Sequence, residues 1–387
     1  MRNFDYCTPT RLLFGKGVIE KLPEVLASLG RKVLLSYGGG SIKKMGLYQK
    51  VKELLKDFEV VELSGIQPNP KYDPSVLEGV RLCKEHGVEV ILAVGGGSVL
   101  DCSKAIAAGA CYDGDPWDLI SYKVKARKAL PMVDILTLAA TGSEYDTFGV
   151  ISRTDTNDKI GYGDPLLYPV CSFLDPTYTF TVSKWQTAAG CADAINHIME
   201  QYFTGETTLM NDGFCESIIK SLMVNGPKCL ENPEDYTARA EMMFCCTLAC
   251  NTIASLGNSP SGWPCHGIEH ALSGYYDITH GVGLAIITPH WMRHILSGKT
   301  LDRFVKFGVN VFGIDASLDK WDIARKAIES TAAFFASLGI PTTLREVGID
   351  DSRIGEMAHH VAVNEGLENG WAPLLEEDIA AILTASL

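Results

Sequence analysis

Two pairs of side chains in the C-terminal half have the spacing of metal ligands. Asp193 and His197 stand four residues apart in AAGCADAINHIMEQYF (188–203). His266 and His270 repeat that spacing in GWPCHGIEHALSGYYDITHGVG (262–283), which also carries His280. Positions i and i+4 share one helix face, so each pair can address one ion. One carboxylate oxygen with imidazole nitrogens suits a borderline divalent ion such as Fe²⁺, Zn²⁺ or Co²⁺. Mg²⁺ or Ca²⁺ would ask for more oxygen. The plainer alternative is a set of hydrogen-bonded core histidines beside a helix cap. A lone histidine would deserve it; two such pairs in one half favour an ion. The other histidines invite less. His86 precedes Gly87 at a helix end, His290 and His294 sit on a later helix in supporting or core roles, and His359 and His360 are adjacent, so they cannot share a face.

A second chemistry is written in glycine. GGGS occurs at 38–41 and again at 95–98, each time after an apolar run and before a helical pattern. Glycines let a backbone approach a phosphate closely, and the free N–H groups of a helix start favour an anion. Neither run fits GxGxxG. Each could instead be a tight turn whose helix is capped by Ser41 or Ser98. Asp101 and Lys104 in the helical turns after the second run favour a functional reading there. TLAATGSE (137–144) is a third, weaker candidate, and QPNP (67–70) is locally a plain turn.

These residues need a scaffold. The chain has 387 residues, with 46% hydrophobic and 21% charged, the composition of a globular protein of one large or two medium domains. Strand candidates lie at 33–37, 59–63, 89–94, 135–139 and 170–174, separated by helical patterns at about 45–57, 74–86 and 99–110. Strand–helix alternation implies a parallel sheet covered on both faces. From about Val182 onward only helical patterns remain, at about 186–203, 209–225, 234–256, 264–273, 283–297, 318–338 and 374–385. The expected organisation is an α/β half over 1–181 and an all-α half over 182–387, with a cleft between them. A net charge of −13 disfavours nucleic acid and anionic membrane. No apolar run reaches the roughly 20 residues of a membrane span, and the N-terminus has no signal-peptide core. The 12 cysteines form no CxxC pair, and Cys245, Cys246 and Cys250 sit in an apolar helical stretch. Many unpaired thiols suit a reducing cytosol.

The motifs together resemble the iron-containing (group III, metal-dependent) alcohol dehydrogenases, especially their butanol dehydrogenase and aldehyde reductase branch. They are YGGGSIKKMG (37–46), QPNP (67–70), GGGSVLDCSK (95–104), ATGSE (140–144), DAINHIME (193–200), HGIEH (266–270) and DITHGVGLAIITPHW (277–291). The likeness runs in order from near residue 11 to about 300. Ser103 stands where the family often has Ala, and Tyr145 and Asp146 are atypical. The resemblance implies a Rossmann-like dinucleotide domain over 1–181 and a helical metal-binding, catalytic domain over 182–387. It places the ion on Asp193, His197, His266 and His280, with Fe²⁺ first and Zn²⁺ as the alternative. It sets His270 on the substrate side, where it is the candidate proton relay. The dinucleotide falls to Gly38, Gly39, Gly40, Ser41, Gly95, Gly96, Gly97, Ser98 and Asp101. Thr137, Thr141, Val150 and Lys159 line its groove, and Asn69 lies near the adenosine end. A cytoplasmic homodimer is implied as well.

The expected activity is hydride transfer between NAD(P)(H) and a primary alcohol or aldehyde such as butanol or butanal. Trp263, Tyr275 and Tyr276 surround the metal motifs with no Arg or Lys nearby in sequence, which suits a neutral carbonyl substrate. After β-rich VLLSY no acid appears until Glu53, while Lys43 and Lys44 follow the glycines, so NADPH is expected over NADH. The alternatives are a polyol dehydrogenase or dehydroquinate-synthase-like lyase of the same fold, or a metal- or nucleotide-binding protein without turnover.

Overall fold

The computed structural model describes residues 1–387. The chain packs as two compact units. One joins Cys7–Val182 with Pro233–Asn251; the other joins Met1–Tyr6, Ser183–Asn232 and Thr252–Leu387. The first six residues and the helix Tyr236–Ala249 therefore pack with the unit opposite to their half of the sequence.

The first unit is built on a six-stranded, all-parallel sheet. Its strands are β1 (Arg11–Phe14), β2 (Lys32–Tyr37), β3 (Glu59–Leu63), β4 (Val90–Gly95), β5 (Met132–Leu136) and, after a hairpin, β8 (Cys171–Leu174). Their order across the sheet is β1-β8-β5-β4-β2-β3. Strand β4 reads as an unbroken apolar run because helices cover both faces. Val33, Leu35, Val90, Leu92, Val94, Val133, Ile135 and Phe173 are all buried in one cluster with Leu22, Leu26 and Val51. The chain runs from β2 outward to β3 and then returns to the other side of β2 as β4. The direction of winding reverses between β2 and β4, which is where open α/β sheets leave a ligand crevice at the carboxyl ends of their strands.

Strand β5 covers 132–136 rather than the expected 135–139. Asp134 lies in its middle, fully buried, with Oδ2 accepting from Ser172 Oγ at 2.6 Å on β8. A charged residue there breaks the apolar run by which the strand would be recognised. The antiparallel hairpin of β6 (Phe148–Arg153) and β7 (Asp158–Gly163) was not expected either, nor was the short, half-exposed β1.

The second unit is helical. The expected helices appear as Lys184–Tyr202, Leu209–Glu231, Pro264–Tyr276, His280–Ile295, Lys320–Ser337 and Glu376–Ala385. Leu301–Phe312 and Ile354–Asn364 are additional. The first of these carries Val305, Gly308, Val309 and Val311, poor helix formers that packing overrides. Its Phe304 and Phe307 pack at tilted and edge-on angles against Phe203, their ring centroids 4.8 and 5.1 Å from its own.

Three of these helices meet where the metal motifs lie. Ser183 Oγ accepts from Gln186 N at 3.2 Å and starts Lys184–Tyr202. Trp185 Nε1 donates to Thr279 Oγ1 at 3.0 Å, at the N-cap of His280–Ile295. Gly281 completes the approach: a Cβ there would fall 2.0 Å from the Ala189 carbonyl oxygen. Only a residue without a side chain permits that helix contact. Gly281→Ala is expected to cost roughly 1–3 kcal/mol or more by overpacking. A denaturant midpoint equal to that of the wild type would refute the close approach.

Candidate functional site

In the helical unit, Asp193 and His197 lie one turn apart on Lys184–Tyr202. His266 is in the first turn of Pro264–Tyr276, and His280 is the first residue of His280–Ile295. The Nε2 atoms of His197, His266 and His280 lie 3.6, 3.7 and 3.7 Å from a single oxygen, Asp193 Oδ1. These separations are too long for hydrogen bonds. They match those of ligands that share one ion at about 2.0–2.2 Å. Asp193 Oδ1 and His266 Nε2 are buried with no hydrogen-bond partner, as an ion's ligands would be in its absence. Asp193, His266 and His280 together could hold an ion, and His197 stacks on His266 at 4.6 Å beside them.

Two glutamates that sequence spacing did not single out fix these rings. Glu200 contacts His266 Nδ1 and accepts from the backbone amides of Cys265 and His266, the latter at 3.1 Å. Glu269 contacts His280 Nδ1 and accepts from Ser273 Oγ. Both carboxylates are fully buried. A carboxylate on Nδ1 orients the ring and leaves Nε2 for a ligand. Both residues sit inside DAINHIME and HGIEH, so the signal available was a glutamate within each metal motif.

Burial acts to raise the Asp193 carboxyl, but the imidazoles of His197, His266 and His280 hold it far below the usual carboxylate range. Burial also lowers His197, to about 3, with His266 and His280 adding to the effect against Asp193. It acts the same way on His266, yet Glu200 and Asp193 outweigh it and raise that imidazole to about 10. Three buried carboxylates, Asp193, Glu200 and Glu269, thus surround these rings, a donor set that fits a divalent ion.

His270 lies outside this cluster. Its ring is 6.1 Å from that of His280, and its Nδ1 is 3.3 Å from Glu365 Oε1. Trp263 sets its ring 6.0 and 5.3 Å from those of His197 and His266. Tyr275 instead packs under Arg353, whose guanidinium carbon is 4.4 Å from the ring centroid. An arginine distant in sequence thus stands beside one of the aromatic residues that sequence had grouped with a charge-free pocket.

In the sheet unit, Gly38–Ser41 follows β2, and Gly95–Ser98 leads from β4 into the helix Gly97–Gly109. The two turns therefore flank the winding reversal. Neither Ser41 nor Ser98 caps its helix; the caps are Gly40 and Gly96, so the capping alternative does not hold. Thr137 N donates to Gly95 O at 2.9 Å, and Val150 N donates to Asp101 Oδ2 at 3.0 Å. Thr141 Oγ1 accepts from Ser143 N at 3.2 Å. Lys159 pairs across the hairpin with Ser152, whose amide reaches Pro70 O, the neighbour of Asn69, at 2.9 Å. Asn69 is buried and lies in the left-handed region at φ 47°.

The atypical residues have partners. Ser103 Oγ meets Ser36 Oγ at 2.7 Å between helix and sheet. Lys104, fully buried, donates to Asp146 Oδ1 at 2.8 Å and to Phe148 O at 2.5 Å. It is the one cation among Asp101, Asp134, Glu144 and Asp146, all buried. Burial raises each of these acids, Asp101 to about 6 and Glu144 to about 7.

The profile described as iron-containing alcohol dehydrogenase matches residues 9–176, and the C-terminal profile of the same family matches residues 187–387. The chain belongs to the iron-containing alcohol dehydrogenase family. The match extends through the C-terminal residues, beyond the likeness read from motifs. The chain is 48% identical over 390 residues to NADH-dependent butanol dehydrogenase A of Clostridium acetobutylicum, covering 100% of both. It is 41% identical over 358 residues to NADPH-dependent aldehyde reductase YqhD of Escherichia coli, covering 92% of this chain and 91% of that protein. The crystal structure of NADH-dependent butanol dehydrogenase A from Thermotoga maritima superposes with a TM-score of 0.96 at 40% identity. That match covers 100% of this chain and 99% of the other. Like other members of the family, the chain has a parallel-sheet N-terminal part and a helical C-terminal part.

The buried acids give a pH signature. Glu144 would ionise near 4.5 when unfolded but near 7 when folded, so the folded state holds the extra proton. Its contribution is fully present below about pH 4.5 and is lost as pH rises towards 7. Glu144→Gln cannot ionise and keeps an oxygen for the Thr247 hydroxyl, which donates to Glu144 Oε1 at 2.7 Å. It should gain roughly 2–4 kcal/mol over the wild type above pH 7 and almost nothing near pH 4.5, by unfolding at both values. An equal difference at the two pH values would contradict the raised carboxyl.

Proposed function

We propose that this protein is a metal-dependent alcohol dehydrogenase that transfers hydride between NAD(P)(H) and a primary alcohol or aldehyde such as butanol or butanal. The observation that carries the reading is the convergence of three imidazole Nε2 atoms on Asp193 Oδ1 within 3.7 Å, in a chain of this family. The proposed ligands are Asp193, His197, His266 and His280, with Fe²⁺ favoured by the family and Zn²⁺ compatible with the same donors. The ion, when bound, polarises the substrate oxygen and lowers the hydroxyl pKa. Glu200 and Glu269 hold His266 and His280 by Nδ1 and direct their Nε2 atoms inward. Trp263 covers the edges of two of the rings and limits water there. His270 stands one imidazole away, as the side chain to receive the substrate hydroxyl.

The nicotinamide cofactor carries the hydride, and the sheet unit positions it. Amides of Gly95–Ser98 at the start of a 13-residue helix would take the pyrophosphate. Asp101 would approach the nicotinamide amide, with Thr137, Thr141, Val150 and Lys159 along the groove and Asn69 towards the adenosine. A cytosolic homodimer completes the reading. No helix is long and apolar enough to cross a membrane.

The first test is turnover of the metal-loaded protein with butanal and each reduced cofactor, followed by nicotinamide absorbance. Butanal should be reduced with a higher kcat/KM than carboxylated or phosphorylated aldehydes, since Trp263 beside the metal motif offers the substrate tail no cation. His266→Ala should lose most bound ion and nearly all turnover. Full metal occupancy in Ala variants at all four ligand positions would sink the ligand set.

The finer part of the proposal is preference for NADPH. Gly38–Ser41 bears no carboxylate to hold a ribose 2′-hydroxyl or repel a 2′-phosphate. Glu62 on neighbouring β3 is engaged by Lys52 at 2.8 Å, Tyr37 at 2.9 Å and Tyr48 at 3.0 Å. The Lys43 ammonium lies 5.1 and 4.9 Å from the Tyr37 and Tyr48 ring centroids, beside the loop. The Escherichia coli relative is named for NADPH and the Clostridium one for NADH, so the ratio has to be measured. Gly39 has an ordinary φ and open space around a Cβ, so Gly39→Asp should fold. It should shift the kcat/KM ratio at least tenfold towards NADH. A wild type that favours NADH, or an unchanged ratio in the variant, would reject this role for the loop.

A further inference from the structure

With His197 the exception, three of the four imidazoles in this part of the helical unit share one arrangement. Each has a glutamate on Nδ1: Glu200 for His266, Glu269 for His280 and Glu365 for His270. The first two glutamates serve rings whose Nε2 atoms converge on Asp193 Oδ1. The third serves a ring outside that convergence. We infer that Glu365 is the positioning residue for His270, fixing it as the Nδ1–H tautomer so that Nε2 is an acceptor for the substrate hydroxyl. The inference rests on the alcohol dehydrogenase reading above.

Glu365 is out of place by every local criterion. It caps the C-terminal end of the helix Ile354–Asn364, where its amide donates to Val361 O at 2.9 Å. The carbonyl end of a helix carries partial negative charge, so a carboxylate there is unfavourable unless something else compensates it. The compensating group is His270, at 3.3 Å. The approach is prepared from the other side as well. A Cβ on Gly267 would lie 3.2 Å from both Cβ and Cγ of Glu365, tighter than ordinary packing. The glycine of HGIEH thus lets the Glu365 stem lie against the helix that carries His270, one turn before it. Nothing in the segment around residue 365 announces this role, because the pair joins residues 95 apart in sequence.

The chemistry follows from the two nitrogens of one ring. A carboxylate can only accept, so it selects the tautomer with hydrogen on Nδ1 and leaves the Nε2 lone pair outward. Without that partner the ring populates both tautomers and swings about χ2. The Glu365 side chain keeps 27% of its exposure, whereas Glu200 and Glu269 keep none. Removing Glu365 therefore leaves no sealed charge or cavity, and variants there should fold.

The test uses the full-length, metal-loaded protein with Glu365→Ala and Glu365→Gln. Outer carboxylates on functional histidines are typically worth 10–100-fold. Glu365→Ala should lower kcat by that factor with metal content and cofactor KM unchanged. Glu365→Gln, whose amide oxygen can accept the same hydrogen, should restore most of it. Independently of turnover, long-range ¹⁵N–¹H spectra of histidine-labelled protein report the tautomer, with His270→Gln to assign the ring. Wild type and Glu365→Gln should carry hydrogen on Nδ1, and Glu365→Ala should show a shift towards Nε2. An unchanged tautomer in Glu365→Ala, or a kcat within twofold of wild type, overturns the inference. A wild type that turns over no aldehyde defeats the functional reading instead, and the tautomer then decides the placement alone.

Discussion

A single carboxylate oxygen with no hydrogen bond sets the terms for the helical unit. Asp193 Oδ1 is buried, and only three imidazole nitrogens lie around it, at 3.6–3.7 Å. Burying such an atom is costly without positive charge nearby. The packing concentrates on meeting that need. Three helices must bring their ends or faces to one point, and the contact of Gly281 with the Ala189 carbonyl sets how near they come. Glu200 and Glu269 add two further buried carboxylates, each on the Nδ1 side of a ring whose Nε2 faces Asp193. Asp193 and these rings are the ones proposed to hold a divalent ion.

The sheet unit meets a different constraint, that of placing backbone amides rather than side chains. Parallel strands β2 and β4 are neighbours, so their two glycine turns open side by side. Around them the polar groups are internal. Asp101 holds the Val150 amide, and Lys104 ties Asp146 to the start of β6. Lys104 looked like a phosphate-binding candidate in the linear motif. Its ammonium is instead fully consumed inside the protein. What it contributes is a fixed position for the start of β6.

Much of this was legible in the sequence, for a definite reason. The Asp193/His197 pair and the GGGS turns are local, so spacing placed each on one element, whereas His270, four residues after His266, lies outside the cluster. Where reading stopped, the missing information was non-local or ran against pattern. Asp134 sits in a strand that burial requires and polarity disguises. Glu200 and Glu269 were printed within the motifs, but their partners, His266 and His280, lie 66 and 11 residues away. Arg353 reaches Tyr275 only through the fold, and the helix Leu301–Phe312 forms despite three β-branched valines and a glycine because its aromatic face is wanted in the core.

The path of the chain between units has a consequence for how the molecule is made. The sheet unit is not contiguous: it reclaims Pro233–Asn251 after the chain has already entered the helical unit. That returning helix supplies Thr247, the hydroxyl that satisfies buried Glu144. During synthesis the six strands emerge first, with this acid still lacking its donor. The unit can be completed only after the ribosome has passed Asn251, by which point the long helix bearing Asp193 and His197 is already outside. The sheet unit therefore cannot be excised by a single cut near residue 182 and kept intact. Its maturation is tied to the emergence of the helices that follow it.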